Sequence, residues 1–245
     1  MTIEKLPLEE VVARRKEFFD GQMPVVINDV VSKWRCYTLW TDDYLRSRCG
    51  ENIVKVSKAR DGIHYYGKER PLKSEDMTLW SYIDLITSDE PDASLYYMAM
   101  NPIRTRLPEL MDDVDYPPLV APEAVATPFV WFGPGKNAAP LHYDFMHNYL
   151  CQIRGRKRVI LYPPSDISNL YPVSFRYPSH HISKVNLTKP DYAAFPRFHK
   201  ADRLEFYLEQ GEMLFLPICW WHAMFGEGIN LSVNYWWKPG ASTYL

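Results

Sequence analysis

The chain has 245 residues, of which 47% are hydrophobic and 24% charged, a balance that excludes a disordered chain. Lys and Arg number 28 against 30 Asp and Glu, a formal net charge of -2, so no chain-wide basic field exists and a nucleic-acid partner is not expected. No stretch approaches the roughly 18 apolar residues of a membrane helix, and the charged start MTIEKLPLEEVVARRKEFF has no apolar signal core.

Leu8 to Phe19 sets Val11, Val12, Phe18 and Phe19 between charges and predicts an amphipathic helix. Pro24 to Ile27 predicts a buried strand, and Thr41-Asp42-Asp43 starts a helix that Gly50 stops. Asn52 to Lys58 alternates as a strand, Thr78 to Ile86 reads as a helix, and Leu95 to Met100 as a strand. Prolines near 112–128 mark a connector, which divides flanking N-terminal elements (1–127) from a β core (128–245). Strands are predicted near 129–133, 140–144, 148–154, 157–162, 203–208, 213–217, 221–225 and 230–237, with Gly155, Gly211 and Gly228 as turns. The insert 163–200 holds six prolines and predicts short helices. Many short strands point to a mainly β sandwich or barrel, and the jelly roll of cupins is one solution. The cysteines, Cys36, Cys49, Cys151 and Cys219, form no CxxC pair and are expected to be reduced in an intracellular, cytoplasmic chain, or a nuclear one in a eukaryote.

Two segments carry candidate chemistry. In Pro140-Leu141-His142-Tyr143-Asp144, residues two apart share a strand face, which sets His142 beside Asp144. His222 ends the apolar run MLFLPICWWH. Two His and one carboxylate are the ligand set of non-haem Fe(II) oxygenases. A lone HxD also arises by chance, and a strand His is commonly a hydrogen-bonded core residue. By parity, Asn148 and Gln152 share the face of His142 and Asp144, and Asn230, Ser232 and Asn234 form a similar face. Such a face meets solvent or lines a cavity; small amides without Lys or Glu favour the cavity. Lys157 shares parity with Val159 and Leu161, so it needs an anionic partner unless the run 154–158 is a solvated turn or a nucleic-acid patch.

The HYD at 142–144, GRK at 155–157, KPD at 189–191 with FP at 195–196, WWH at 220–222 and INLSVNYWW at 229–237 occur in an order that closely resembles the JmjC-type Fe(II)/2-oxoglutarate oxygenases. The resemblance covers about residues 95–238 and lies with the hydroxylase branch, related to the asparaginyl hydroxylase of hypoxia-inducible factor. It implies a double-stranded β-helix with flanking N-terminal helices, Fe(II) held by His142, Asp144 and His222, and 2-oxoglutarate and O2 as cosubstrates. Lys157 then grips the distal carboxylate of 2-oxoglutarate, with Tyr97 as its partner (Tyr96 on a slipped register) and Asn148 and Asn234 near the metal. Ala139 departs from the Thr or Ser that relatives often carry. The implied reaction hydroxylates a C–H bond of a protein, peptide or small amino-acid-like substrate, or begins an N-demethylation. A binding cupin without turnover, or a zinc or manganese cupin enzyme, is the alternative. Trp131, Trp220, Trp221, His147, His180 and His181 are candidates to touch substrate, and His64 and His199 read as structural or surface residues. A chain that stops just after its last strand leads to the expectation of a monomer.

Overall fold

The computed structural model describes residues 2–59, 73–136 and 138–239; His64 lies outside them. In chain order the elements are β1 (Lys5–Leu6), α1 (Leu8–Ala13), β2 (Val25–Ile27), α2 (Arg35–Leu39), α3 (Asp42–Cys49), β3 (Ile53–Lys58), β4 (Lys73–Thr78), α4 (Leu79–Thr87), β5 (Tyr96–Pro102), α5 (Ile103–Arg106), β6 (Phe129–Gly133), β7 (His147–Tyr162), β8 (Leu204–Leu208), β9 (Met213–Leu216) and β10 (Trp221–Trp237). The strand order is β1-β2-β9-β7-β10-β6-β5-β3-β4, with β8 on β7.

The long strands β7 and β10 are the spine. They pair antiparallel from Trp221↔Tyr162 to Trp237↔His147, with register shifts between Glu227 and Leu231 and between Leu231 and Ser232. The first half of β7 takes β9 on its other edge and the second half takes β8, while the second half of β10 takes β6. Each long strand therefore serves two sets of neighbours, the arrangement of a double-stranded β-helix of the cupin or jelly-roll class. The strands predicted at 148–154 and 157–162 are one strand, because Gly155 adopts φ +67° and bends the chain without ending its ladder. Those predicted at 221–225 and 230–237 are likewise one.

The segment 140–144 is not a ladder strand. Pro140 has no N–H to donate, and His142 makes only isolated bridges, to His222 on one side and Ile182 on the other. The predicted helix over 8–19 splits into α1 and a π turn over Lys16–Asp20 that buries Phe18 and Phe19. Strand β4, KSEDMT, has no apolar alternation, so only its pairing with β3 reveals it. Thr41 and Thr78 cap α3 and α4 by accepting from Tyr44 N and Ser81 N. The short helices of the insert are two single 3-10 turns, Pro164–Asp166 and Phe198–Lys200.

The main core lies between the sheet and the N-terminal helices, around Trp40, Tyr82, Phe132 and Tyr149. A second, inner cluster of Val26, Leu150, Val159, Leu161, Leu214 and Trp220 fills the closed side of the β-helix. A third packs Leu141, Tyr143, Tyr162 and Trp221 beneath the insert. All four cysteines are free thiols, and no helix among the described residues is long and apolar enough to cross a membrane.

Candidate metal centre

His142 and His222 exchange backbone hydrogen bonds, His142 N to His222 O at 3.1 Å and His222 N to His142 O at 2.7 Å. A pair linked in this way sends both side chains to one face, and the ring centroids lie 4.2 Å apart. Asp144 follows two residues after His142, and the Cys219 N–H fixes its carbonyl at 3.0 Å. The Asp144 carboxylate oxygens stand 4.0 Å from His142 Nε2 and 3.9 Å from His222 Nε2. One ligand atom from each of the three lies within 4.8 Å of the others, and the described residues contain no second such cluster.

The imidazoles are oriented for coordination. His142 Nδ1 is 2.7 Å from Pro140 O and His222 Nδ1 is 2.9 Å from Trp220 O. A proton on each Nδ1, donated to those carbonyls, leaves each Nε2 lone pair facing the carboxylate. Burial and the neighbouring His222 push His142 down to about 4, so it stays neutral and able to ligate at physiological pH. The Trp236 indole N–H donates to Asp144 Oδ2 at 3.0 Å.

The triad stands in a cleft of about 670 Å³, its open mouth included, which Lys157 also lines. His222, Met224 and Gly226 take alternate positions on β10 along that cleft, and Gly226 is the register partner of Lys157. The triad and the lysine are thus about 13 Å apart along the strand, with a side chain reaching in from each end. Lys157 is 6% exposed, donates to Ser232 Oγ, and forms no ion pair among the described residues. Desolvation alone pushes its ammonium down to about 7. An ammonium has three donors, so those not used by Ser232 remain for an anion.

Asn148 (5% exposed) and Asn234 (1%) are buried on the cleft wall, so the small-polar face meets a cavity and not solvent. Trp131 Nε1 donates to Asn234 Oδ1 at 2.7 Å, and Asn234 Nδ2 donates to Asn148 Oδ1 at 3.1 Å. Tyr97 lines the cleft beside Trp131, whereas Tyr96 packs on the main core under the Lys58 ammonium. Ala139 lines the cleft as well.

Other candidates lie elsewhere. His147 is packed between Phe215 and Trp237, and its Nδ1 accepts from Ile218 N–H. Trp221 packs against Tyr143 in the third core, and Trp220 in the inner one donates to Gln22 O. His180 and His181 meet exposed Phe145, next in sequence to Asp144, with rings tilted or edge-on. His199 sits on a 3-10 turn. The run 154–158 offers no free basic patch, since Arg154, Arg156 and Arg158 pair with Asp42, Glu227 and Glu205. Sequence reading missed Trp236 and Ser232 as partners of Asp144 and Lys157, although both share the even-numbered face of β10 with His222 and Asn234.

Fe(II), 2-oxoglutarate and O2, the cofactor set of JmjC proteins, suit this donor set: a His, His, carboxylate triad and a buried lysine without an ion-pair partner among the described residues. The cupin-like domain model matches residues 12–243. Among curated proteins, lysine-specific demethylase 8 of Danio rerio is 32% identical over 91% of this chain and 55% of its own length. The Arabidopsis thaliana lysine-specific demethylase JMJ30 is 31% identical over 93% of this chain and 53% of its own. The Homo sapiens tRNA wybutosine-synthesizing protein 5 is 30% identical over 95% of this chain and 78% of its own. The chain spans about half the length of the demethylase-named relatives. With a match that runs almost end to end, the chain belongs to the cupin-like domain family.

Proposed function

We propose that this chain is an Fe(II)- and 2-oxoglutarate-dependent oxygenase that hydroxylates a C–H bond of a protein, peptide or small amino-acid-like substrate, with release of succinate and carbon dioxide. His142, Asp144 and His222 hold the metal, which leaves positions open for the keto acid and for oxygen. Lys157 binds the distal carboxylate with Tyr97 as its partner, and Asn148 and Asn234 complete the site near the metal; all four line the one cleft. When bound, the iron and keto acid supply the oxidising power that removes a substrate hydrogen. The protein's own residues orient these groups, exclude water and hold charge. The observation that carries this reading is the convergence of three ligand side chains in one cleft with a buried lysine that forms no ion pair among the described residues.

The names of the demethylase relatives favour a second reading, N-methyl demethylation, which starts with the same hydroxylation. The motif resemblance to the hydroxylase branch favours the first. One assay separates both from a binding cupin: succinate release from 2-oxoglutarate with Fe(II), ascorbate and candidate peptides, methyl-lysine peptides, free amino acids and tRNA. A substrate gain of one oxygen supports hydroxylation and formaldehyde release supports demethylation. A protein that binds iron yet yields no succinate with or without substrate would falsify the oxygenase reading.

A further inference from the structure

We propose that Asn230, braced by Gln152, is the positioning residue that aims Lys157 into the cleft. The effect on cosubstrate affinity rests on the oxygenase reading; the aiming itself does not.

The inward face of β7 changes parity along its length. Asn148 and Leu150 line the cleft from even positions, whereas beyond Gly155 it is Lys157 that lines the cleft. Val159 and Leu161 then join Leu150 in the inner cluster from odd positions. Arg156 and Arg158 point outward to Glu227 and Glu205. A one-residue slip in a strand moves every side chain to the opposite face. Had β7 continued regularly, two arginines would face inward and Lys157 outward.

The inversion is held by one pair of side-chain amides. Asn230 Nδ2 donates to Arg156 O at 2.5 Å, and Asn230 Oδ1 accepts from Gln152 Nε2 at 2.9 Å. Gln152 Nε2 also donates to Arg154 O at 2.6 Å. The pair therefore ties down the carbonyls on both sides of Gly155, the residue with φ +67°. A Cβ at Gly155 would come within 2.4 Å of Ile229 O and 3.0 Å of Asn230 Nδ2, so the turn and the clamp are built against each other. Gln152 and Asn230 are 0% and 3% exposed, and the β10 register shift between Glu227 and Leu231 spans the same level. Asn230 also lines the cleft, but its polar atoms are engaged with the protein. It acts through Lys157 and not on a ligand.

Lysine acylation read by mass spectrometry tests the aiming. Wild-type Lys157 is shielded, and Lys33, with a side chain 69% exposed, is the internal reference. In Asn230→Ala the acylation of Lys157 relative to Lys33 should rise about tenfold, the scale of one lost buried hydrogen bond to a carbonyl. Gln152→Met keeps the side-chain length, removes only the brace, and should raise it in the same direction; it decides the matter if Asn230→Ala does not fold. Calorimetry on Mn(II)-loaded protein without oxygen gives the second readout. In the variant, 2-oxoglutarate should bind about tenfold more weakly, with Mn(II) affinity unchanged within about twofold, which general loosening would not spare. Folded variants whose Lys157 stays as shielded as in wild type would overturn the proposal. Wild-type protein that fails to bind 2-oxoglutarate, alongside a variant that unmasks Lys157, would sink the cosubstrate reading and leave the clamp standing.

Discussion

Trp236 donates its indole N–H to Asp144 Oδ2 at 3.0 Å, a contact between β10 and an irregular segment 92 residues earlier. Asp144 lies outside any ladder, so a donor on the rigid spine is what orients its carboxylate toward the two histidines. Partners of this kind around a metal site change affinity by about 10–100-fold when removed. Trp236→Phe keeps an aromatic ring in the slot and should weaken Mn(II) or Fe(II) binding by about tenfold or more. Titration of the metal into apo protein measures this, and an unaltered affinity would show that the indole is mere packing.

The depressed Lys157 value sets a direction for pH. Its folded-state value is about 7, against 10.5 for the ordinary side chain, because burial disfavours the ammonium. Between those values the unfolded chain binds the proton and the folded chain does not, so this residue's contribution to stability rises with pH from about 7 upward. Lys157→Met removes the buried cation; its stability advantage over wild type should shrink between pH 7 and pH 9. A dicarboxylate favours the charged form, so above about pH 7 its binding must take up a proton and its affinity must fall. Calorimetry in buffers of different ionisation heats reads that proton uptake directly. Flat affinity from pH 6.5 to 9 would contradict it.

Much of this site is legible in the chain itself. The HxD, the distant His222 and the alternation of Asn230, Ser232 and Asn234 with apolar neighbours mark a polar inner face, and Lys157 stands out among Val159 and Leu161. The same alternation argues against His147 and Trp221, whose odd positions oppose those of the cleft-lining Asn148 and His222; residue type outweighed parity there. Other features are written only in three dimensions. The bend at Gly155 depends on Ile229 O and Asn230 closing over it, and Ser232 and Trp236 become partners of Lys157 and Asp144 only once β7 and β10 pair. Strand β4 has a single apolar residue, Met77, and owes its conformation to β3.

Tyr82 joins α4 to the sheet. Its side chain is 0% exposed, its hydroxyl donates to Phe132 O at 2.5 Å, and it accepts from Met98 N–H at 3.0 Å. Tyr82→Phe would leave a buried carbonyl and a buried N–H unpaired on neighbouring strands β5 and β6. The expected loss is about 1–3 kcal/mol in urea unfolding with an unchanged m-value. A shift below about 0.5 kcal/mol would mean that water or a backbone adjustment replaces the hydroxyl.

Ala139 stands where the JmjC resemblance leads to an expected Thr or Ser. Ala139 lines both the metal cleft and an adjoining hollow walled by residues 183–188, so a hydroxyl there would face a cavity. Nothing else on that stretch offers a side-chain donor, because Ala138 and Pro140 flank it. If 2-oxoglutarate lies between the triad and Lys157, Ala139→Ser adds one hydrogen bond to it, worth about 1 kcal/mol or a fivefold tighter dissociation constant. Mn(II) affinity should stay level, because the new hydroxyl lies three residues before His142 and displaces no ligand. Calorimetric titration of 2-oxoglutarate into Mn(II)-loaded protein measures the difference. Tighter binding would mean that Lys157 alone leaves the keto acid under-anchored; equal or weaker binding would place the keto acid away from residue 139.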